Sequence, residues 1–143
     1  MTKVQKAILD IVIQSERHLS ADEVYWIAKR QFPSVALGTI YRNLNHFADS
    51  KLIRRVARAE TADYFEGNMS PHDHALCIRC GQMTDIQIPR LKDFLKGQMN
   101  CSIVSFDLTV NYICPECAKK DSERNCGENN DAAQYEEKNN KAD

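Results

Sequence analysis

Residues 72–80 read HDHALCIRC, and this stretch decides how the rear half of the chain folds. It ends in one C-x-x-C pair, Cys77 and Cys80, and a second pair follows at Cys114 and Cys117. In a reducing compartment this spacing indicates a metal-binding site rather than a pair of disulfide bonds. Four thiolates around one ion suit tetrahedral zinc and leave no open position. We therefore predict a structural zinc site that joins two distant segments.

The same stretch opens with two histidines, His72 and His74, at alternate positions. Alternate side chains of an extended segment project to one side, so both imidazoles can address one ion. Asp85, on the polar side of the next predicted strand, and Glu66, just after the predicted hairpin, would supply oxygen ligands, and His18, in the loop before the second predicted helix, would supply a third imidazole. Three nitrogens and two carboxylates with a vacant position suit Fe(II), Mn(II) or exchangeable Zn(II). The alternative is a pair of surface histidines beside unrelated acids.

Length and charge limit the kinds of protein this can be. The chain has 143 residues and a net charge of −1, and it contains no apolar run of the roughly 18 residues that a membrane span needs and no secretory signal. We therefore expect a cytoplasmic protein. Residues 1–58 hold ten Lys and Arg against five Asp and Glu, whereas residues 121–143 are acidic, rich in Asn and poor in large apolar groups. We predict a basic front half and a disordered acidic tail from Asp121.

The front half predicts three helices followed by a basic hairpin. Apolar residues recur at helical spacing in residues 3–14, after the capping sequence that begins at Ser20, and in residues 36–50. The predicted buried stripes are Val24, Ile27 and Ala28 in the second helix, and Ile40, Leu44 and Phe47 in the third. Residues 52–56 and 63–65 have the composition of strands around a polar turn. We predict an α+β protein whose residues 1–66 form a winged helix-turn-helix DNA-binding domain.

In such a domain the third helix enters the major groove and the hairpin holds flanking phosphates. A merely solvated, charged face is the alternative interpretation. The predicted DNA-binding residues are Thr39, Tyr41, Arg42, Asn45, His46, Arg54, Arg55 and Arg58.

The rear half, residues 67–120, alternates apolar and polar residues over 84–88 and 104–112, which predicts strands. Between them, residues 91–99 predict a helix whose apolar side covers the sheet. So small a sheet leaves its edges unpaired, so we expect a zinc staple and a partner subunit to stabilise this small α/β dimerisation domain. We expect Cys101 to be a small core residue and Cys126 a loose thiol in the tail.

Three motifs together resemble the ferric uptake regulator (Fur) family: residues 72–85, the GTIYRNL of residues 38–44, and the second cysteine pair. The resemblance covers residues 3–120 and is closest to the peroxide-responsive branch, the PerR repressors. It implies a structural zinc site and a separate regulatory site for Fe(II) or Mn(II), with Zn(II) possible. The implied zinc ligands are Cys77, Cys80, Cys114 and Cys117, and the implied regulatory ligands are His18, Glu66, His72, His74 and Asp85.

The resemblance further implies a homodimeric repressor that binds a palindromic operator in double-stranded DNA when metal is bound. Metal would join the two domains at a hinge, and peroxide reacting with bound Fe(II) would oxidise His18 or His72. Asp85 favours the peroxide branch, whereas Glu66 stands where that branch typically has aspartate. A regulator of iron, manganese or zinc availability is therefore the alternative function.

Two departures from the family pattern affect DNA binding. Ala36 replaces the usual serine cap of the third helix, a change typically worth about 1 kcal/mol. The sequence begins near the second helix of most relatives, so we expect an altered DNA affinity.

Two other classes compete with this interpretation. A zinc hydrolase or deaminase also uses histidines, acids and C-x-x-C pairs, but a deaminase needs H-x-E followed by P-C-x-x-C, and here Pro115 lies inside the second pair. Four thiolates would also leave no place for an activated water. A zinc-stapled interaction module remains if the basic helix and hairpin do not bind DNA. We predict a regulator and not an enzyme.

Overall fold

A computed structural model describes residues 1–124 of the chain. Within this range the elements are α1 (Lys3–Ile13), β1 (Leu19–Ser20), α2 (Ala21–Gln31), α3 (Leu37–Asp49), β2 (Arg54–Val56), β3 (Tyr64–Glu66), β4 (Asp73–Cys77), β5 (Met83–Ile86), α4 (Leu91–Met99), β6 (Thr109–Tyr112) and α5 (Pro115–Arg124). In this part of the chain, no helix has both the length and the apolar character that crossing a membrane requires.

The predicted start of the tail is wrong, because Asp121 lies in α5. That helix begins at Pro115, a residue whose fixed φ suits the first turn. The rest of the predicted tail, residues 125–143 with Cys126, lies outside the described residues.

The main core lies among α1, α2, α3 and the first sheet. On α3 the predicted stripe of Ile40, Leu44 and Phe47 is buried, which confirms the periodicity. On α2 the prediction that Ile27 is buried is wrong, because Ile27 is 40% exposed. Ala21, at the start of the helix, is buried instead. The core residues are Ile8, Val12, Leu19, Ala21, Val24, Ala28, Ile40, Leu44, Phe47, Ile53 and Phe65.

The helix starts follow the sequence signals. Ser20 accepts a hydrogen bond from the backbone N–H of Glu23, and the Glu23 side chain accepts one from the N–H of Ser20, so the predicted capping box is confirmed. Ala36 occupies the cap position of α3, a helix that lies wholly within the described residues, and provides no side-chain hydrogen bond there. The helix proposed to read DNA therefore begins with less support than α2.

The first sheet has the strand order β1-β3-β2, with both pairings antiparallel. The hairpin of β2 and β3 was expected from the sequence, but the two-residue β1 was not. Leu19 pairs with Phe65, so β1 adds a third strand beside β3. This pairing places the loop before β1, which contains His18, next to the end of β3.

The second sheet has the strand order β5-β4-β6. Strands β4 and β5 are antiparallel, whereas β6 returns parallel to β4, with Cys77 opposite Tyr112. The predicted strand over residues 104–112 is too long, since β6 begins only at Thr109. The parallel return brings residues just after Tyr112 to the turn that follows β4.

Two predictions about packing in the rear half are wrong. In α4, which the structure describes throughout, no side chain is buried, and Phe94 is 63% exposed, so this helix does not cover the sheet. Cys101 follows α4 and is exposed rather than part of a core. Within residues 1–124 the apolar side of α4 is therefore largely uncovered, with only Leu91 and Leu95 half-buried.

Gly67 connects the two sheets and lies against the end of α1. A Cβ atom added there would sit 2.6 Å from the Cα atom of Ile13 and 3.2 Å from the carbonyl oxygen of Val12. Both are backbone atoms, so a rotamer change cannot relieve the overlap. The connection between the sheets thus depends on a residue without a side chain.

We expect Gly67→Ala to lower the free energy of unfolding by about 1–3 kcal/mol, the usual cost of overpacking. Gly97→Ala is the matched control, because a Cβ at Gly97 meets nothing within 4 Å, and an alanine inside a helix stabilises by about 0.5–1 kcal/mol. Urea unfolding of both variants measures the difference. A Gly67→Ala protein as stable as the unsubstituted one would contradict the close approach.

Candidate metal centres

The four predicted zinc ligands converge at the end of the second sheet. Their sulfur atoms all lie within 4.8 Å of one another, and the Sγ atoms of Cys80 and Cys114 are 4.0 Å apart. Four thiolates at a Zn–S distance of about 2.3 Å are about 3.8 Å apart in a tetrahedron. The geometry of this thiolate cluster therefore fits one zinc-sized ion.

Local structure explains this convergence. After β4 the chain turns back through Gly81, whose N–H donates to the carbonyl oxygen of Cys77 and whose φ of +74° favours glycine. The parallel pairing of β6 delivers Cys114 to the same end, where its N–H donates to the Cys77 sulfur at 3.3 Å. Cys117 lies one turn further along, in α5.

The electrostatics of the thiolate cluster also favour a bound cation. The backbone N–H of Cys114 is the main cause that lowers the pKa of the Cys77 thiol to about 6, so this thiol readily ionises. The neighbouring Cys114 thiol is the first cause that raises the pKa of Cys117 to about 12. Without a cation the cluster cannot hold four thiolates at neutral pH, whereas a metal ion stabilises all four.

The five predicted regulatory ligands form a second convergence, between the two sheets. One ligand atom from each of the five lies within 4.8 Å of the others. We call this group the sensor cluster; its members are His18, Glu66, His72, His74 and Asp85.

Each sheet contributes one row of side chains to the sensor cluster. In the first sheet, the register that pairs Leu19 with Phe65 places His18 across from Glu66 when it is continued by one residue. In the second sheet, His74 pairs directly with Asp85, and His72 lies two residues before His74 on the same side of the chain. The cluster thus joins the front unit to the rear unit.

The cluster is densely polar and largely buried. His18 Nε2 is 3.0 Å from Glu66 Oε2 and 3.2 Å from Asp85 Oδ1, and the Nε2 atoms of His72 and His74 are 3.0 Å apart. Glu66 is 4% exposed and His74 5% exposed, whereas the Asp85 side chain is 41% exposed. Access from solvent therefore lies on the Asp85 side.

The protonation of His72 follows from its contacts. Its Nδ1 atom lies 2.7 Å from the carbonyl oxygen of Ser70, and a carbonyl can only accept, so Nδ1 carries the proton. In the neutral imidazole, which is the form that binds metal, the Nε2 lone pair then faces the cluster. A backbone carbonyl that orients a ligating imidazole in this way is a recurring feature of metal sites.

His18 supplies a further sign that a cation fits. Among the buried side-chain polar atoms of residues 1–124, His18 Nε2 is the one without a properly directed hydrogen-bond partner, although two carboxylate oxygens lie close to it. A buried polar atom left in this state is costly unless an ion or a water completes its contacts. The donor set of nitrogen and oxygen suits Fe(II), Mn(II) or Zn(II).

Burial and charge set the ionisation of the cluster. Burial acts to raise the pKa of Glu66, but the contact with His18 and the charges of the three histidines outweigh it, so the pKa lies below its usual value. Burial lowers the pKa of His74, and the Glu66 carboxylate only partly opposes this. An ionised carboxylate beside a neutral imidazole is the state that binds a metal ion.

Sequence reasoning missed one member of this environment. Arg54 pairs with Glu66 across β2 and β3, and its guanidinium reaches His72. We predicted Arg54 as a DNA contact, but its side chain points into the sensor cluster. Alternation along a strand was the available signal, since Arg54 and Arg55 must face opposite sides of the sheet.

The remaining predicted DNA-binding residues lie on α3 and the hairpin. Tyr41, Arg42, Asn45 and His46 are exposed on α3, and Thr39 is partly buried near its start. Arg55 links the two elements, since its Nη1 lies 3.4 Å from Asn45 Oδ1. The guanidinium of Arg58 lies over the ring of Tyr64, 3.7 Å from its centroid. Arg55 and α3 thus share one polar face, whereas Arg58 packs on Tyr64, which faces the same side of the sheet as Glu66.

Comparison with known proteins agrees with this architecture. The family model described as the ferric uptake regulator family matches residues 1–111. The chain belongs to the ferric uptake regulator family. Cys114 and Cys117 lie beyond the matched range, so the structure is what connects them to the first cysteine pair.

Individual relatives extend the likeness along most of the chain. The peroxide-responsive repressor PerR of Staphylococcus aureus is 30% identical over 125 residues, covering 84% of this chain and 83% of the relative. The Helicobacter pylori ferric uptake regulator Fur superposes with a TM-score of 0.77 at 20% identity, over 82% of this chain and 81% of that one. The Vibrio cholerae ferric uptake regulator gives 0.68 at 25% identity, over 80% and 91%. The fold is therefore that of Fur proteins.

Proposed function

We propose that this Fur-family chain is a metal-dependent transcriptional repressor that binds double-stranded DNA and responds to peroxide. The observation that carries the proposal is the sensor cluster, because its ligands come from both sheets. His18 and Glu66 belong to the DNA-reading unit, whereas His74 and Asp85 belong to the rear unit. An ion that binds all of them fixes the orientation of one unit relative to the other.

Control of DNA binding follows from that orientation. Without an ion, Glu66 and Asp85 lie within reach of the same imidazoles but repel each other, so the two units are held less firmly. A loosely oriented reading unit must be ordered at the moment it meets DNA, and that ordering weakens binding. We propose residues 1–66 as the DNA-binding domain and residues 67–120 as the dimerisation domain.

A homodimer explains the exposed apolar side of the rear unit. Phe94 and Met99 of α4 are 63% and 60% exposed, and Val104 is 95% exposed. Strand β6 is also the outer strand of its sheet. A second copy that packs against this region would cover both features and would place two copies of α3 on a palindromic operator.

The thiolate cluster is proposed to hold structural Zn(II) through Cys77, Cys80, Cys114 and Cys117. Its four ligands come from the turn after β4 and from the start of α5, so zinc closes the rear unit. Metal binding of this kind contributes directly to folding.

We expect the Cys114→Ser protein to lose its zinc and its folded rear unit. The Cys101→Ser protein should keep the zinc and the folded rear unit. Cys101 is the matched control because it is an exposed cysteine that lies outside the cluster. Elemental analysis measures zinc per chain, with about one expected for the unsubstituted protein and for the control. Full zinc content in the Cys114→Ser protein would contradict the assignment.

Metal-dependent DNA binding tests the main proposal. We expect the zinc-loaded protein to retard palindromic operator DNA when Mn(II) or Fe(II) is added, and Asp85→Asn to shift the metal requirement upward at least roughly tenfold. Asp93→Asn, an exposed aspartate on α4, is the matched control and should behave like the unsubstituted protein. A mobility-shift titration gives the result. DNA binding of the same strength with and without added metal would contradict the proposed mechanism.

The peroxide response is tested on the iron-loaded protein. Bound Fe(II) would supply a redox-active centre at which peroxide is reduced and a neighbouring imidazole is oxidised. His18 and His72 each lie within 4 Å of both Glu66 and Asp85, so we expect that chemistry to reach these two imidazoles first. We expect a brief peroxide pulse to release operator DNA and to add one oxygen to the peptide containing His18 or His72, as read by mass spectrometry.

The Mn(II)-loaded protein is the control and should keep both its DNA and its histidines. Loss of DNA without histidine oxidation would contradict the peroxide mechanism. A regulator of metal availability is the second candidate function, because Glu66 replaces the aspartate typical of peroxide sensors. DNA binding that follows metal concentration but ignores peroxide would favour it.

A further inference from the structure

The row of side chains on the first sheet continues past Glu66 to an arginine. Strand order β1-β3-β2 places His18 on one side of Glu66, and the register of β2 and β3 pairs Glu66 with Arg54 on the other. Directly paired residues of an antiparallel sheet face the same side. Arg54 is therefore directed at the sensor cluster by the backbone itself.

The contacts of Arg54 are with two members of the sensor cluster. Its Nη1 atom lies 3.5 Å from Glu66 Oε1, and 3.3 Å from both ring nitrogens of His72. The same atom donates to the carbonyl oxygen of His72 at 3.3 Å. The Arg54 side chain is 26% exposed and that of Glu66 only 5%. A permanent positive charge thus lies against a buried carboxylate.

That charge has a function in the metal-free protein. A buried carboxylate without a partner is strongly unfavourable, and the guanidinium stays protonated at any pH that proteins tolerate. Arg54 is the Lys or Arg side chain that contacts Glu66 within residues 1–124.

The same contacts place Arg54 in conflict with a divalent ion. The two groups that it touches, Glu66 and the His72 ring, are both proposed ligands. A dication bound to them repels a guanidinium a few ångströms away, since like charges this close are poorly screened when partly buried. Binding must therefore displace the guanidinium or tolerate its repulsion.

We propose that Arg54 is an internal cation that competes with the regulatory metal for Glu66 and His72, and thereby sets the metal concentration at which the protein responds. In this proposal Arg54 lowers the affinity of the site for metal and is not itself a ligand. The proposal rests on the proposed function of the sensor cluster. Arg55 has no such role, because it faces the other side of β2 and contacts Asn45 and Asp63.

Two effects of opposite sign distinguish competition from simple structural support. Removing the charge takes away a competitor, so the affinity for metal rises. It also leaves Glu66 without its counter-ion, so the metal-free protein becomes less stable. If Arg54 merely held the ligands in place, replacing it would lower both the affinity for metal and the stability of the metal-free protein.

The test uses the full chain, loaded with zinc and free of DNA. Mn(II) binding is followed by electron paramagnetic resonance of the free ion, and thermal unfolding is recorded without Mn(II). Arg54→Met and Arg54→Gln remove the charge, the glutamine keeping a hydrogen-bond donor in case the methionine variant folds poorly. Arg54→Lys keeps the charge, and Arg55→Met is the matched control on the same strand.

We expect both neutral variants to bind Mn(II) at least roughly tenfold more tightly and to unfold at a lower temperature when Mn(II) is absent. Arg54→Lys and Arg55→Met should bind Mn(II) like the unsubstituted protein. Unchanged or weaker Mn(II) binding by the neutral variants would overturn the competition. If the unsubstituted protein shows no saturable site that Asp85→Asn weakens, the proposed function itself fails, and the two failures are thereby distinguished.

Discussion

The buried carboxylate of Glu66 is the constraint on which the rest of the arrangement depends. It ends the strand that holds the wing, and it lies among three imidazoles, an arginine and the nearby Asp85. A charge in this position costs several kcal/mol unless cations compensate it. The front unit therefore cannot be packed against the rear unit without positive charge between them, whether from an arginine, a protonated histidine or a metal ion.

The two proposed metal centres have different relations to the fold. The thiolate cluster lies wholly within the rear unit, where it ties the turn after β4 to the start of α5 and replaces the core that so small a sheet lacks. The sensor cluster lies between the two units and uses side chains that are already placed by strand register. The thiolate cluster can therefore keep its ion while the sensor cluster exchanges one. A metal-responsive protein needs this difference in order to stay folded when its regulatory metal leaves.

Local signals predicted most of the front unit. The stripe on α3 and the capping box at Ser20 depend on residues within a few positions of each other, and both were read correctly. The thiolate cluster was predictable because C-x-x-C spacing has few other uses. His18 was grouped with the later ligands by its residue type and by family resemblance and not by a local signal, since 48 positions separate it from Glu66 and the pairing of β1 with β3 leaves no local signal in the sequence.

The errors arose where contacts are distant or absent. The apolar side of α4 was assigned to the sheet because its periodicity shows only that one side is apolar, not what covers it. The length of β6 was overestimated because alternation continues through residues that find no strand partner among the described residues. That Arg54 contacts DNA stays a prediction, but its charge alone could not show that the register of β2 with β3 turns the side chain toward Glu66. Alternation shows that Arg54 and Arg55 face opposite sides of the sheet, but which of the two faces the sensor cluster depends on the register of the whole sheet.

The most direct test of the central claim is anomalous diffraction from crystals of the zinc-loaded protein soaked with Mn(II). We expect a manganese peak within about 2.0–2.3 Å of nitrogen and oxygen atoms from both units, including His18 and Glu66 from the front and His72, His74 and Asp85 from the rear. A manganese peak that is bonded only to residues of the rear unit, with His18 turned away, would contradict the claim that the ion fixes one unit against the other.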